Sequence, residues 1–187
     1  MLIATVAAAH SRGLAVTGHV PRVMRMTRAI ELGMDGLEHI RITGRELLSK
    51  EEADRIDFLT LGRRETLLCR QFDVDSVPMN NLASLIAKRR VILDPTLVND
   101  ETEFRLSPEE VNSEPNNKML PREWMERLKA IGVPESRRPP ADLKGEAAAG
   151  FEKRLRFIQM CYRAGVPLIA GTDGPGLGPE AARFWTA

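Results

Sequence analysis

Two short apolar runs, each ending on a histidine, constrain this chain most. Leu14-Ala15-Val16-Thr17 leads to Gly18-His19, and Met34-Asp35-Gly36-Leu37 leads to Glu38-His39. The two histidines lie twenty positions apart, a spacing that one strand, one helix and the next strand fill. If the strands are parallel neighbours joined by a right-handed crossover, both histidines sit at the same end of one sheet. Two imidazoles at that end are close enough to share a metal ion.

The remaining segments continue the alternation. Leu2 to His10 is alanine-rich and reads as a helix, with Gly13 as its stop. The strand expected at Leu14 to Thr17 is short and buried, and a helix with Pro21 early in it runs to about Leu32 and stops at Gly33. Ser49 followed by Glu51 and Glu52 marks another helix start, with broken helical segments up to Phe72. Asp75 or Ser76 caps a further helix that carries Pro78, Leu82, Leu85 and Ile86 and closes on Lys88-Arg89-Arg90. Val91 to Leu93 reads as a third strand. Glu146 to Ala164 reads as a long helix with Phe151, Leu155, Ile158 and Tyr162 on its apolar stripe, and Val166 to Ala170 as a fourth strand ending at Gly171-Thr172-Asp173.

Between the third strand and that long helix lies a polar, proline-bearing excursion over 99–145, read as a lid or insertion with a short helix near Trp124 to Ile131. The fold class expected is therefore α/β. One domain over 1–187 would form a parallel sheet with flanking helices, a partial (β/α)8 barrel of the TIM type. His19, His39, Thr96 and Asp173 all follow strands, the end of such a barrel where sites are built.

Composition removes several function classes. A net charge of +1 and an aromatic content of 5% imply neither a dense basic face nor a base-stacking platform, so no nucleic-acid partner is expected. No apolar run approaches the roughly 20 residues that span a bilayer. Cys69 and Cys161 are isolated, without disulfide or zinc-knuckle spacing, and Cys161 reads as a packed thiol.

Two neutral imidazoles and a carboxylate from three strand ends suit a zinc-like divalent ion. Such an ion brings the pKa of bound water toward about 7. Asp173 is suited both to ligate it and to carry a proton to a leaving amine. Glu38 should point away from His39 by strand alternation and reads as a buried or salt-bridged group. The competing reading of each histidine alone is a hydrogen-bonded structural residue. His10, before the first strand, reads as a surface or helix-end residue. The glycines of Gly174 to Gly178 allow a second class of function, a phosphate- or nucleotide-binding α/β domain, although neither Gly-x-Gly-x-x-Gly nor Gly-Lys-Ser/Thr is present.

The segments Gly13-Leu-Ala-Val-Thr-Gly-His-Val-Pro21 and Ala29-Ile-Glu-Leu-Gly-Met-Asp-Gly-Leu-Glu-His-Ile40 resemble the fifth and sixth strands of the amidohydrolase superfamily. The nearest branch is that of imidazolonepropionases and metal-dependent Xaa-Pro dipeptidases. Ile92 to Leu97 is similar to its seventh strand and Ala164 to Asp173 to its eighth. The resemblance implies that His19, His39 and Asp173 bind a divalent metal, zinc, as one or two ions. It implies that Asp173 also shuttles the catalytic proton. The implied activity is hydrolysis of amide, cyclic-amide or dipeptide C–N bonds by attack of metal-bound hydroxide on the carbonyl.

The family's first-strand His-x-His pair and its strand-four lysine have no counterpart here. A complete barrel needs about 250 residues. The expectation is thus the C-terminal half of a barrel, a fragment with two open sheet edges. It would associate with itself or with a missing N-terminal half. A non-catalytic remnant or interaction module of the same fold is the alternative.

Overall fold

A computed structural model describes residues 1–131 and 135–173. Its centre is a parallel sheet of three short strands, β1 (Thr17–His19), β2 (Gly36–Glu38) and β3 (Ile92–Asp94), in the order β1-β2-β3. Register pairs His19 with Glu38 and Glu38 with Asp94, so these three residues form one row across the strand ends. The expected fourth strand is reduced to a single parallel bridge, Leu93 to Leu168, with Leu93 N donating to Pro167 O at 2.9 Å.

Helices cover the sheet. α1 (Leu2–His10) precedes β1, and α2 (Met26–Glu31) crosses from β1 to β2. A 3-10 segment (Arg41–Leu47), α3 (Lys50–Ile56), α4 (Leu61–Gln71) and α5 (Val77–Arg89) connect β2 to β3. α6 (Leu97–Phe104), α7 (Pro108–Asn112) and α8 (Arg122–Ile131) follow β3, and α9 (Lys144–Arg163) leads to the Leu168 bridge. The core lies between the sheet and α2, α5 and α9. Met26, Ile30, Leu37, Met79, Leu93 and Phe157 are fully or almost fully buried there.

Local chemistry accounts for several boundaries. Ser49 and Glu52 form a reciprocal capping box at α3, satisfying two backbone donors that the first turn leaves open. Ser107 and Glu110 do the same at α7. Pro78 occupies the first turn of α5, where its missing N–H costs nothing. Gly13 and Gly33 stop α1 and α2 with φ of +69° and +98°.

Four expectations need correction. The first strand lies at Thr17–His19 rather than Leu14 to Thr17, and Leu14 is exposed, because β1 is an edge strand among the described residues. Pro21 sits in a turn before α2 and not inside it. The 99–145 stretch carries more helix than expected: besides α8, where the short helix near Trp124 was expected, α6, α7 and short 3-10 turns occupy much of it, and Phe104 and Val111 are buried. The buried face of α9 is Phe151, Arg154, Phe157 and Cys161, so Leu155 and Ile158 are only partly buried and Tyr162 is exposed.

Candidate metal centre and its pocket

The strand ends converge on two imidazoles. His19 ends β1, following Gly18 with φ of +149°, and its side chain is largely exposed. His39 stands one residue past β2. Alternation would send its ring to the opposite sheet face from Glu38. Its backbone instead turns left-handed, with φ of +64°, and its N–H donates to Asp94 O at 2.8 Å. The His19 and His39 rings then meet edge to face with centroids 4.4 Å apart and their Nε2 atoms 2.9 Å apart.

A hydrogen bond fixes the His39 tautomer. Thr96 donates its hydroxyl proton to Pro95 O at 2.9 Å, so its Oγ1 accepts from His39 Nδ1–H. The lone pair of His39 is therefore on Nε2, the atom that faces His19. Burial first, then the positive charge of Arg41 and His19, holds His39 below its usual 6.5, with Asp173 and Asp100 opposing in part. The ring is neutral at pH 7 and can donate that lone pair to a cation.

Asp173 lies alongside, with Oδ2 3.9 Å from His39 Nε2 and held by Asn99 Nδ2 at 3.0 Å. Its backbone is left-handed too, with φ of +56°, as is that of Thr96 with φ of +45°. Three non-glycine residues at adjacent strand ends thus share a backbone conformation that costs of order 1–3 kcal/mol each and clusters at functional sites. Asp94 ties these ends together: one oxygen accepts from Thr96 N at 3.2 Å and from Gly171 N at 3.0 Å. A Cβ on Gly171 would collide with that carboxylate, which accounts for the glycine.

The donor set fits a divalent ion in part. Two imidazole nitrogens on one tetrahedral ion sit roughly 3.3 Å apart, a few tenths of an ångström farther than here. The third candidate is not drawn in equally. Among the described residues, no three histidine, cysteine or carboxylate side chains converge as a complete ligand set. Glu38, expected to be buried or salt-bridged, is half-exposed, and its Oε2 lies 3.9 Å from His19 Nε2, within ion-pair reach. The row His19–Glu38 in the register explains this, since paired residues share a sheet face. Gly174 to Gly178, the alternative phosphate loop, lies outside the described residues.

Both histidines and Asp173 line a pocket of about 400 Å³. Its other wall is cationic and was not legible as a site: Arg41, Arg64 and Arg137 line it, with Glu65 and Asn99. Burial pushes Glu65 above its usual carboxylate range, although Arg154, Arg64 and Arg41 pull the other way. Burial opposes the charge of Arg41, and Asp100 and Glu103 more than restore it. His10, assigned to the surface, also pairs with Asp35 through Nε2 at 2.8 Å.

Compared with known proteins, the chain matches no protein-family model, no curated protein and no solved structure.

Proposed function

We propose that this chain is a hydrolase of amide or cyclic-amide C–N bonds, and that His19, His39 and Asp173 would hold its divalent metal ion, zinc. The observation that carries this reading is the facing pair of imidazole nitrogens, 2.9 Å apart, one of them kept as a bare lone pair by the Thr96 bond. The strained backbones at His39, Thr96 and Asp173 support it. When bound, such an ion supplies Lewis acidity toward the carbonyl and lowers the pKa of water toward about 7.

The chain's own residues supply the rest. Thr96 keeps the His39 ring in one tautomer and one orientation. Asp173 takes the proton of the attacking water and returns it to the leaving nitrogen. Asn99 Nδ2 orients the Asp173 carboxylate for that transfer, and the side chain of Asp173 is half-exposed, within reach of solvent and substrate.

The same proposal extends to architecture. β1, β2, β3 and the Leu168 bridge follow one another in parallel order, with helices in each crossover, which is the arrangement of consecutive strands in a (β/α)8 barrel. A second copy or a complementary half would cover the open edges of such a partial barrel.

Zinc content after dialysis and hydrolysis of a panel of amides and lactams test the reading together. The expected result is zinc bound by the wild-type chain and lost in His19→Ala and His39→Ala. A wild-type chain that takes up no zinc at micromolar concentrations overturns it.

A further inference from the structure

At the end of the sheet opposite the histidines, positive charge gathers where the strands begin. α1 runs into β1, α2 into β2, α5 into β3 and α9 into the Leu168 bridge, and because the strands are parallel all four entries lie at one end. Neighbouring strands are about 4.8 Å apart, so the entries fall within roughly 15 Å of one another. They carry Arg12, Lys88, Arg89, Arg90 and Arg163, all exposed. The same four segments, 10–16, 31–35, 88–91 and 162–166, hold two carboxylates, and both are taken: Glu31 pairs with Arg28 at 3.2 Å and Asp35 with His10 at 2.8 Å. A net charge of +1 suggests no dense basic face, but that total averages over the whole chain, and Glu65, Asp100 and Glu103 are spent on largely buried arginines elsewhere.

Basic residues in a last helical turn also answer the helix dipole. Two observations go beyond that role. Of the five, only Arg12 spends a nitrogen on a helix carbonyl, donating Nη1 to Ala8 O at 2.8 Å. Lys88, Arg89, Arg90 and Arg163 make no side-chain hydrogen bond or ion pair among the described residues. Arg90 also stands where the other three helices use glycine. Gly13, Gly33 and Gly165 turn the chain at the ends of α1, α2 and α9 with φ of +69°, +98° and +80°, and α5 makes the same left-handed turn on Arg90, with φ of +54°. Glycine takes that conformation without steric cost and arginine does not, so the position keeps a cation against the preference of the backbone.

Apolar side chains stand among these cations. Leu14, between Gly13 and β1, is 59% exposed, and Tyr162, next to Arg163, is 72% exposed. We propose that this end of the sheet docks on an anionic phospholipid bilayer, the cations lying against headgroup phosphates and carboxylates while Leu14 and Tyr162 reach toward the acyl boundary. Clustered lysine and arginine with apolar tips among them is the chemistry that an anionic membrane surface attracts. A nucleic-acid face would use the same charge but would stack bases on aromatic rings, and Tyr162 is the only Phe, Tyr or Trp in the four segments. The docking end lies opposite the pocket, so a docked chain keeps His19, His39 and Asp173 open to solution, and the proposal does not depend on what they bind.

Flotation of the full chain with vesicles through a density gradient tests this and leaves any aggregate at the bottom. The vesicles are pure phosphatidylcholine, or phosphatidylcholine with a quarter of phosphatidylserine. At least five-fold more chain is expected to float with the anionic vesicles. That excess is expected to disappear between about 0.1 M and about 1 M salt, as the Debye length shrinks from roughly 10 Å to roughly 3 Å. The triple variant Lys88→Gln/Arg89→Gln/Arg163→Gln is expected to lose the excess. Arg55→Gln/Lys118→Gln/Arg122→Gln, with the same change of charge outside these segments, is expected to keep it. Leu14→Ser/Tyr162→Ser, which leaves the charge alone, is expected to halve the excess or more. Arg90→Gly is expected to float less while melting no lower than the wild type, a separation that a purely structural arginine does not give. Equal flotation with both vesicles, equal loss in the two charge triples, or tighter binding of a mixed-sequence DNA duplex than of the anionic vesicles overturns the proposal.

Discussion

His39 and Thr96 meet across the ends of neighbouring strands, Nδ1 to Oγ1, each held in a left-handed backbone with φ of +64° and +45°. Neither residue would choose that conformation alone, least of all β-branched threonine. Their mutual bond is what determines which nitrogen of His39 is left to bind a cation. Thr96→Val removes the acceptor and keeps the shape. It leaves a buried Nδ1–H without a partner, so stability should fall by about 1–3 kcal/mol. Zinc affinity should fall roughly 10- to 100-fold, as for other lost partners of a ligating histidine. Denaturant titration and competition with a chromogenic chelator measure the two effects. Unchanged zinc affinity would remove Thr96 from the site.

Among the described residues Arg154 is the largest side chain wholly withdrawn from water, with 1% of it exposed, and it ties Glu65 on α4 to Asp100 on α6. Removing one member of a buried ion network strands the others, typically at about 3–5 kcal/mol. Arg154→Met should lower urea stability by that amount. Tyr162→Ala, on the same helix but 72% exposed, should change it by less than about 0.5 kcal/mol. The reverse ranking would restore the stripe that hydrophobic spacing suggests for α9.

That stripe shows where reading from the sequence reaches its limit. The helix itself, its stop at Gly165 and the strand-like run after it follow from local propensity and periodicity. Periodicity counts arginine as a surface residue, so it rotates the buried face toward Leu155 and Tyr162. Only Glu65 and Asp100, 89 and 54 positions away, make position 154 interior. The site divides the same way. His19, His39 and Asp173 are legible because each follows an apolar run, a pattern local in sequence. Arg41, Asn99 and Arg137 enter the pocket through segments whose packing is set by distant partners. The left-handed turn at His39 has no signal in residue type, since glycine would be the usual occupant.

Gly150 on α9 packs directly against Cys69 on α4. A Cβ there would lie 2.5 Å from Cys69 Sγ and closer still to its Cβ. Glycine to alanine inside a helix ordinarily gains about 1 kcal/mol, but overpacking a rigid contact costs about 1–3 kcal/mol. The second effect should win, and Gly150→Ala should lower the melting temperature. Gly145→Ala, with nothing within 4 Å of its new methyl, should raise it. Thermal melts of the two variants decide the matter, and a stabilised Gly150→Ala would mean that the helices separate at little cost.

Asp35 links the end of α1 to the start of β2. It accepts from His10 Nε2 at 2.8 Å and from Val16 N at 2.7 Å. Partial burial pushes its carboxyl up, but the His10 bond and the Val16 N–H outweigh that, and the group titrates below its ordinary 3.8. A depressed carboxyl binds fewer protons folded than unfolded, so its stabilising effect is complete above pH 3.8 and fades as pH falls through the folded value. Asp35→Asn abolishes this titration. The variant should be less stable than the wild type at pH 6, and the gap should narrow as pH drops below the ordinary carboxyl range. Melting temperatures of both chains across that range measure it. A gap that stays constant with pH would show that Asp35 acts through its shape and hydrogen bonds, with no contribution from its charge.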